Sequence, residues 1–255
     1  MPLREHLDEL RRRLFRAAIG IVLGAVAGWF LWKDYILPAL ISPLKQFAAD
    51  GGGLNYDSVI QPIEIQVKGA LWVGLIVSSP IWIYQFWAFI TPGLTRKERR
   101  YAGGFVAAAV PLFLGGVLLA WSVLPTTMHF VAEFSSEGAK NLIAASNYLS
   151  FVMRLLLAFG IAFLLPVVLV ALNFVGLVSG AAILKQWRIV VFLCFVFAAV
   201  FTPTPDALTM IVMAAPLILL FFVAIGISLV NDRRRKRRSA ELDYSSLDDD
   251  AASPL

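Results

Sequence analysis

Long apolar stretches alternate with short polar connections along the chain and divide it into six candidate membrane spans. These spans cover about residues 14–32, 67–90, 101–124, 148–177, 189–202 and 208–230. A helix needs roughly 20 apolar residues to cross a bilayer, and four of the stretches meet that length comfortably. Between Arg188 and Pro203 lie only 14 residues, which as a helix cover about 21 Å against a hydrocarbon core of about 30 Å. The pattern predicts an all-α membrane domain over residues 1–230 that ends in two short, tightly joined spans.

Positive charge is concentrated in every second connection. The cation-rich segments contain Arg4, Arg11, Arg12, Arg13 and Arg16 at the N-terminus, Arg96, Lys97, Arg99 and Arg100 after the second span, Lys185 and Arg188 after the fourth, and residues 233–238 in the tail. Lysine and arginine mark the cytoplasmic side of a membrane protein. We therefore expect both termini to be cytoplasmic, which agrees with six spans better than with five or seven.

Composition supports a membrane protein and argues against an enzyme. The 255 residues are 59% hydrophobic and 15% charged, with a mean hydropathy of +0.78, which is too apolar for a soluble domain of this size. Two histidines, His6 and His129, and one cysteine, Cys194, form no zinc-binding or nucleophile motif. We expect no catalytic activity, no metal or other cofactor, and no nucleic-acid partner.

Residues 231–255 form a tail whose charge changes sign. The basic run RRRKRR at 233–238 is followed by the acidic run LDDD at 247–250. This composition is typical of a solvated, disordered end, and the basic part suits anionic lipid headgroups. At the other terminus, residues 4–16 are charged and amphipathic and lead into a full-length span, so no cleavable signal peptide is expected.

Few polar side chains fall within the spans. Arg154, about two turns into the fourth span, is the only charged residue clearly inside one. It either marks a polar path through the bilayer or extends its guanidinium to the outer interface. Gln85 in the second span is the other polar candidate, and an interhelical hydrogen bond would also explain it.

Two carboxylates, Glu9 and Glu98, lie among the cytoplasmic cations. On a helix Glu9 can pair with Arg12 or Arg13, which follow it by three and four residues. The cations around Glu98 favour its ionised form. Both acids read locally as surface ion pairs of little energetic value. The alternative is that they receive cations from a partner, for which the planar fork of arginine fits a carboxylate best.

Six sequence motifs follow one another along the chain: HLDELRRRL at 6–14, SPL at 42–44, SSPIWIYQFWAFITPGLTRKERR at 78–100, YLSFVM at 148–153, AFGIAFLLP at 158–166 and FTPTPD at 201–206. Together they closely resemble the TatC family, the multi-spanning receptor subunits of the twin-arginine protein translocase. They occur in the family's order over about residues 5–230. The resemblance implies that the chain binds the paired arginines in signal peptides of folded, exported proteins.

The resemblance also assigns roles to individual residues. The implied signal-peptide contacts are Glu9, Leu10, Arg11, Phe89, Pro92 and Glu98. Pro43 and Asp206 match outer-loop positions that matter for function in the family. Pro43 is expected to shape its loop because proline fixes φ, and Asp206 to cap the sixth helix that it precedes. Gln85, Thr209 and Met210 are the implied intramembrane polar or partner-docking positions.

The family's architecture implies a concave, glove-like helical bundle that is held by outer caps. Residues 33–66 and 125–147 would supply those caps. Single-span TatB- and TatA-like partners would dock at the two short spans, self-association is expected, and the proton-motive force would drive export. The implied location is the prokaryotic plasma (inner) membrane.

Two positions depart from the family's pattern. Leu164 stands where members commonly carry a glutamate within the fourth span, and leucine cannot take up a proton or hold a polar segment. Met210 stands where some relatives have glutamine, which weakens polar docking of a partner helix there. Two other functions stay open: a small-solute permease, which would transport alone in liposomes, and a membrane scaffold, which would bind partner subunits but no signal peptide.

Overall fold

A computed structural model describes residues 3–47, 53–90, 96–133, 142–202 and 207–241, and these are almost entirely helical. The elements are α1 (Leu3–Leu31), a π-helical segment (Trp32–Ile36), α2 (Leu37–Phe47), β1 (Gly53–Asn55), α3 (Gln61–Val77), α4 (Ser79–Ile90), α5 (Arg96–Glu133), β2 (Leu142–Ala144), α6 (Ala145–Val175), α7 (Gly180–Lys185), α8 (Trp187–Phe201) and α9 (Ala207–Glu241). The predicted all-α class is confirmed, with one pair of three-residue strands as an addition.

Four helices in the described part of the chain are long and apolar enough to cross a membrane. They are α1 with its continuation to Ser42, α5, α6 and α9. Helices α3 and α4 reach that length only as a pair, because they are bent by 61° at Ser78. Helix α8 has 15 residues, or about 22 Å. The short fifth apolar helix is present as predicted, while six membrane crossings stay a prediction.

The bend between α3 and α4 changes the predicted second span, which was expected to run over residues 67–90. Pro80 has no N–H to continue the ladder, so the helix restarts around it. Ser78 N–H ends α3 by donating to Gly74 O at 2.9 Å. The Trp82 indole N–H donates to Leu75 O at 2.9 Å and thereby supplies a donor next to the break. Pro80 and these two hydrogen bonds therefore account for the bend between α3 and α4.

Helices α1 and α3 cross at unusually close range through glycine. Gly20, Gly24 and Gly28 recur every four residues, so they share one face of α1. A β-carbon at Gly24 would lie 2.7 Å from the carbonyl oxygen of Gly74 on α3. Small residues at this spacing let membrane helices approach backbone to backbone. The contact fixes α1 against α3 along much of its length.

Helix α6 is the centre of the bundle. It packs against α5 on one side and α9 on another. Phe113 of α5 and Phe159 of α6 are fully buried, and the Phe159 ring meets Phe197 of α8 edge to face at 5.1 Å between ring centroids. A single large apolar cluster therefore joins the long helices to the short helix α8.

The two long connections expected to form caps are joined to each other and to α6. Strand β1 pairs in parallel with β2, so that Leu54 lies opposite Ile143. The Tyr148 hydroxyl on α6 donates to Leu40 O of α2 at 2.8 Å in a fully buried position. The Trp72 indole N–H of α3 donates to Met153 O of α6 at 3.1 Å and so joins two of the predicted spans. The β1–β2 pairing and the Tyr148–Leu40 bond connect the predicted caps with each other and with α6.

Removing the buried hydroxyl in Tyr148→Phe should destabilise the cap. The change leaves the Leu40 carbonyl without its donor in an apolar environment, which costs about 1–2 kcal/mol. We expect a lower thermal unfolding midpoint of the purified protein in detergent micelles. Tyr84→Phe is the matched control, because the Tyr84 side chain is exposed. Equal midpoints for the two variants would show that the Tyr148–Leu40 bond contributes nothing.

Two sequence-based predictions about the connections are wrong in part. Pro43 was expected to shape a loop, but residue 43 lies within helix α2, whose apolar residues pack Leu40 into the core. The tail was expected to be disordered from residue 231, but α9 continues to Glu241. Residues 242–255 lie outside the described residues.

The extension of α9 is held by a polar cluster, which consists of Asn173, Gly180, Asn231 and Asp232. Asn173 at the end of α6 is buried, and its Nδ2 donates to Asp232 Oδ1 at 2.8 Å. Asp232 Oδ2 accepts from Gly180 N at the start of α7 at 2.7 Å. Asn231 Nδ2 donates to Asn173 Oδ1 at 3.0 Å. These bonds explain why the helix persists beyond the predicted end of the span.

Candidate functional site

The first turns of α1 carry an acid–base pair. Arg13 Nε donates to Glu9 Oε1 at 2.9 Å, as the spacing of four residues predicted. Both side chains are about three-quarters buried, at 21% and 24% exposure. Leu10 and Arg11 are exposed on other faces of the helix. The carboxylate of Glu9 is therefore accessible but already holds one guanidinium.

An aromatic contact ties this end of α1 to the end of α4. The rings of His6 and Phe89 are stacked, with 4.7 Å between centroids and 26° between planes. His6 precedes Glu9 by three residues and so belongs to the same side of the helix. The contact places Phe89 beside the first turns of α1, on the side of the helix that also carries Glu9. His6 was not predicted as a site residue, although its separation of three residues from Glu9 indicates that the two side chains share one side of the helix.

Charges of both signs share one surface hollow around Glu9. The hollow measures about 530 Å³ and is lined by Glu5, Glu9, Arg12, Arg13 and Arg16. Positions 5, 9, 12, 13 and 16 recur at three or four residues, so they form one stripe along α1. A cationic ligand entering this hollow would find carboxylates with competing arginines beside them.

An apolar groove of about 500 Å³ begins immediately beyond this charged end. Helix α1 contributes Leu14, Ala17 and Ile21, and the groove extends between α4, α5 and α6. Leu14 follows Glu9 by five residues, or about 8 Å along the helix axis. Trp82 at the α3–α4 bend also lines the groove. One molecule could therefore contact the Glu9 carboxylate and the apolar groove together.

Leu164, the expected departure from the family, lines this groove from α6. Its side chain is partly buried against the main apolar cluster. Leucine at position 164 gives the groove wall an apolar contact surface, whereas a glutamate there would have given it a carboxylate.

The structure describes the remaining predicted site residues to different extents. Glu98 belongs to the first turn of α5, and residues 92 and 206 lie outside the described residues.

Gln85 on α4 has a buried Oε1 atom with no hydrogen-bond partner among the described residues. Thr209 is buried and Met210 packs partly against the main cluster. The guanidinium of Arg154 donates from Nε to Ser150 O at 3.1 Å, one turn closer to the start of α6.

Helix α8 presents an uncovered apolar stripe. The exposed side chains are Ile189, Phe192, Leu193, Val196 and Val200. Their spacing of three and four residues places them on one side of the helix. Val200 is 72% exposed, which in a bilayer means contact with lipid or with another helix.

No group of three or more histidine, cysteine or acidic residues in the described ranges is arranged to hold a metal ion. The charged hollow and the apolar groove are lined by carboxylates, guanidinium groups and apolar side chains. Such groups bind charged and amphipathic ligands by ion pairing and burial.

Comparisons with known proteins agree on one family. The family model described as "Sec-independent protein translocase protein (TatC)" matches residues 5–216. The Sec-independent protein translocase protein TatC of Xylanimonas cellulosilytica is 51% identical over 243 residues, which is 94% of this chain and 88% of that protein. TatC of Rothia mucilaginosa is 40% identical over 96% of this chain and 85% of its own length.

The fold is also similar to that of a solved structure. The crystal structure titled "Twin Arginine Translocase Receptor- TatC in DDM" superposes with a TM-score of 0.72. It is 32% identical, and the match covers 88% of this chain and 99% of that one.

Proposed function

The chain belongs to the TatC family of Sec-independent protein translocase proteins, and from this premise we propose that it is the receptor subunit that binds twin-arginine signal peptides. The family consists of membrane proteins of protein transport rather than enzymes. The proposed ligand is the pair of arginines in the signal peptide of a folded protein. Glu9 and Glu98 receive these arginines, and Leu10, Arg11, Phe89 and Pro92 form the surroundings.

The observation that carries this proposal is the position of Glu9 in the charged stripe of α1, about 8 Å along the helix axis from Leu14, which lines the apolar groove. A carboxylate accepts two parallel hydrogen bonds from one guanidinium, which a single lysine ammonium cannot match. Arg13 Nε and Nη2 both donate to Glu9 Oε1 in the free protein, which leaves Oε2 for an incoming arginine. The net gain comes from the hydrogen bonds of that arginine to Glu9, from the second arginine and from burial of the adjoining apolar residues.

The apolar groove is the proposed seat for the hydrophobic segment of the signal peptide. Its lining residues on α1, α4, α5 and α6 are apolar side chains. Burial of apolar surface contributes roughly 25 cal/mol per Å², so a helical segment adds more affinity than the arginines alone. The peptide would enter with its charged end at Glu9 and its apolar end along α1.

The exposed stripe on α8 is the proposed docking surface for single-span TatB- and TatA-like partners. Its side chains are apolar and uncovered in the single chain, and α8 is too short to span a full bilayer unaided. Self-association and the use of the proton-motive force belong to the same proposal. The cation distribution supports placement in a prokaryotic plasma membrane with both termini in the cytoplasm.

Binding of a fluorescent twin-arginine signal peptide to the purified protein in detergent micelles tests the receptor function. We expect specific binding that weakens about tenfold when both arginines become lysines, because bidentate pairing is lost. The apolar segment is identical in the two peptides, so it serves as the internal control. Equal affinity for both peptides, or no binding of either, would overturn the receptor assignment.

A crosslinker placed at residue 89 tests the location of the bound peptide. Phe89 stacks on His6 beside Glu9, so a photoreactive residue there should label the peptide next to its arginines. The same residue at Leu219, which is 65% exposed on α9, should not label it. Labelling at 219 but not at 89 would move the binding site away from α1 and α4.

A further inference from the structure

A second groove, here called the α5–α9 groove, lies between α5 and α9 with α6 as its floor. It measures about 350 Å³, and its walls include Gly104 and Ala108 of α5 and Ala224 and Ile227 of α9. Small residues on both walls create this hollow, because their side chains do not fill the space between the helices. A β-carbon added at Gly104 would meet no atom within 4 Å.

The cation-rich ends of α5 and α9 lie at the same end of this groove. Phe105 of α5 meets Phe174 of α6 edge to face at 5.5 Å. Next to Phe174, Asn173 is bonded to Asp232 of α9 at 2.8 Å. These contacts bring residue 105 of α5 and residue 232 of α9 to the same level of the bundle. The first turns of α5, which precede residue 105, and the last turns of α9, which follow residue 232, therefore lie at the same end of the groove.

Arg234 continues the wall of the groove into this cationic end. It follows Ile227 by seven residues, or two helical turns, so both lie on the same face of α9. Arg234 is exposed, as are the cations on either side of it. Helix α5 begins at Arg96 and carries RKERR in its first turns. The groove is thus apolar along its length and cationic at one end.

We propose that the α5–α9 groove binds an anionic phospholipid. An acyl chain occupies the apolar part, and the phosphate lies at the cationic end near Arg234. Apolar burial binds the tail, and a cation near a membrane surface attracts an anionic headgroup. This site uses neither Glu9 nor α1, and it shares only Phe105 and Val167 with the groove of the proposed signal-peptide site.

The distribution of charge favours a phospholipid over a partner helix. A partner helix that binds through polar contacts would need them along its length, whereas the charge here lies only at one end. The head-and-tail distribution of the groove matches the chemistry of a phospholipid.

Native mass spectrometry of the intact protein, released from detergent micelles with added palmitoyl-oleoyl phosphatidylglycerol, tests this site. Gly104→Leu should fill the groove and reduce lipid adducts at least severalfold. Gly103→Leu is the matched control, because residue 103 does not line the groove and its added β-carbon also meets nothing within 4 Å. Phosphatidylcholine with the same acyl chains separates binding of the tail from recognition of the headgroup.

The headgroup is tested with a second pair of variants. Arg234→Gln should lower affinity for phosphatidylglycerol by about fivefold, since one cation near the headgroup is worth that much, and leave phosphatidylcholine unchanged. Lys236→Gln should have no such effect, because residue 236 lies about 200° around the helix from residue 234. Equal adducts for the two glycine variants would overturn the site. Gly104→Leu that leaves lipid adducts intact but abolishes co-purification of a single-span partner would replace the lipid with a helix.

Discussion

Replacing Glu9 by glutamine should weaken binding of a twin-arginine signal peptide by about tenfold to a hundredfold. A hydrogen bond to a charged partner is worth about 1.5–3 kcal/mol, and glutamine keeps the shape of the side chain while it removes the charge. The measurement is the titration of fluorescent peptide described above. The peptide in which both arginines are lysines should lose less affinity on this change than the native peptide, because lysine does not form the bidentate pair with Glu9 that the change removes.

Glu64→Gln is the matched control for Glu9→Gln. Glu64 on α3 also has a cation four residues later, Lys68, at 3.7 Å, but its pair is exposed and distant in sequence from the charged hollow. Peptide affinity should not change in this variant. If Glu9→Gln and Glu64→Gln behave alike, Glu9 is only a surface ion pair, whose loss costs less than about 1 kcal/mol.

Arg13→Gln distinguishes the ion pair of Glu9 with Arg13 from the proposed contact of Glu9 with the signal peptide. Glu9 is bonded to Arg13 in the free chain, so removal of that guanidinium leaves the carboxylate free for the peptide. We expect equal or tighter peptide binding in Arg13→Gln, in contrast to the loss in Glu9→Gln. A loss of similar size in both variants would mean that the ion pair supports the fold of α1 rather than competing with the ligand.

Hydropathy predicted the helices well because a bilayer allows few other structures. Each backbone polar group must be satisfied within its own segment, so long apolar runs become helices. What hydropathy could not predict depends on contacts between distant residues. The end of α9 beyond residue 230 is held by Asn173, a residue 58 positions from Asn231. Composition alone assigned that segment to a disordered tail.

The site was predictable where it depends on local spacing and not where it depends on packing. The Glu9–Arg13 pair follows from a separation of four residues on one helix. The His6–Phe89 stack joins α1 to α4, and no local rule indicates which aromatic residue a histidine will meet. The apolar groove likewise depends on packing, because side chains of α1, α4, α5 and α6 line it together.

Leu164 gives the groove of this chain a uniform chemistry. Leu164 lines the groove and packs against the main apolar cluster, so the implied departure from a glutamate would change the chemistry of the proposed ligand surface. An uncharged wall carries no desolvation cost when an apolar segment enters, whereas a carboxylate there would have to be paired or protonated. The proposed receptor therefore relies on Glu9 and its surroundings for charge recognition and on the groove for burial alone.

Replacing Gly24 by leucine should disrupt the α1–α3 contact and, with it, the proposed peptide site. The added β-carbon would lie 2.7 Å from Gly74 O, and backbone cannot move aside without separating the helices. Overpacking of this kind costs about 1–3 kcal/mol or more, which corresponds to a fall of about 2–12 °C in the unfolding midpoint. Because α1 carries both Glu9 and one wall of the groove, peptide affinity should fall as well.

The clash at residue 24 involves the β-carbon itself, so a smaller side chain can test the prediction. Alanine already contains the β-carbon, so Gly24→Ala should produce much of the effect of Gly24→Leu despite its small size. Gly115→Leu is the control, because a β-carbon at residue 115 of α5 meets no atom within 4 Å. Its midpoint should change by less than about 2 °C. A tolerated Gly24→Ala would mean that α1 and α3 are farther apart than described, and the wall that α1 contributes to the groove would then have to be placed differently.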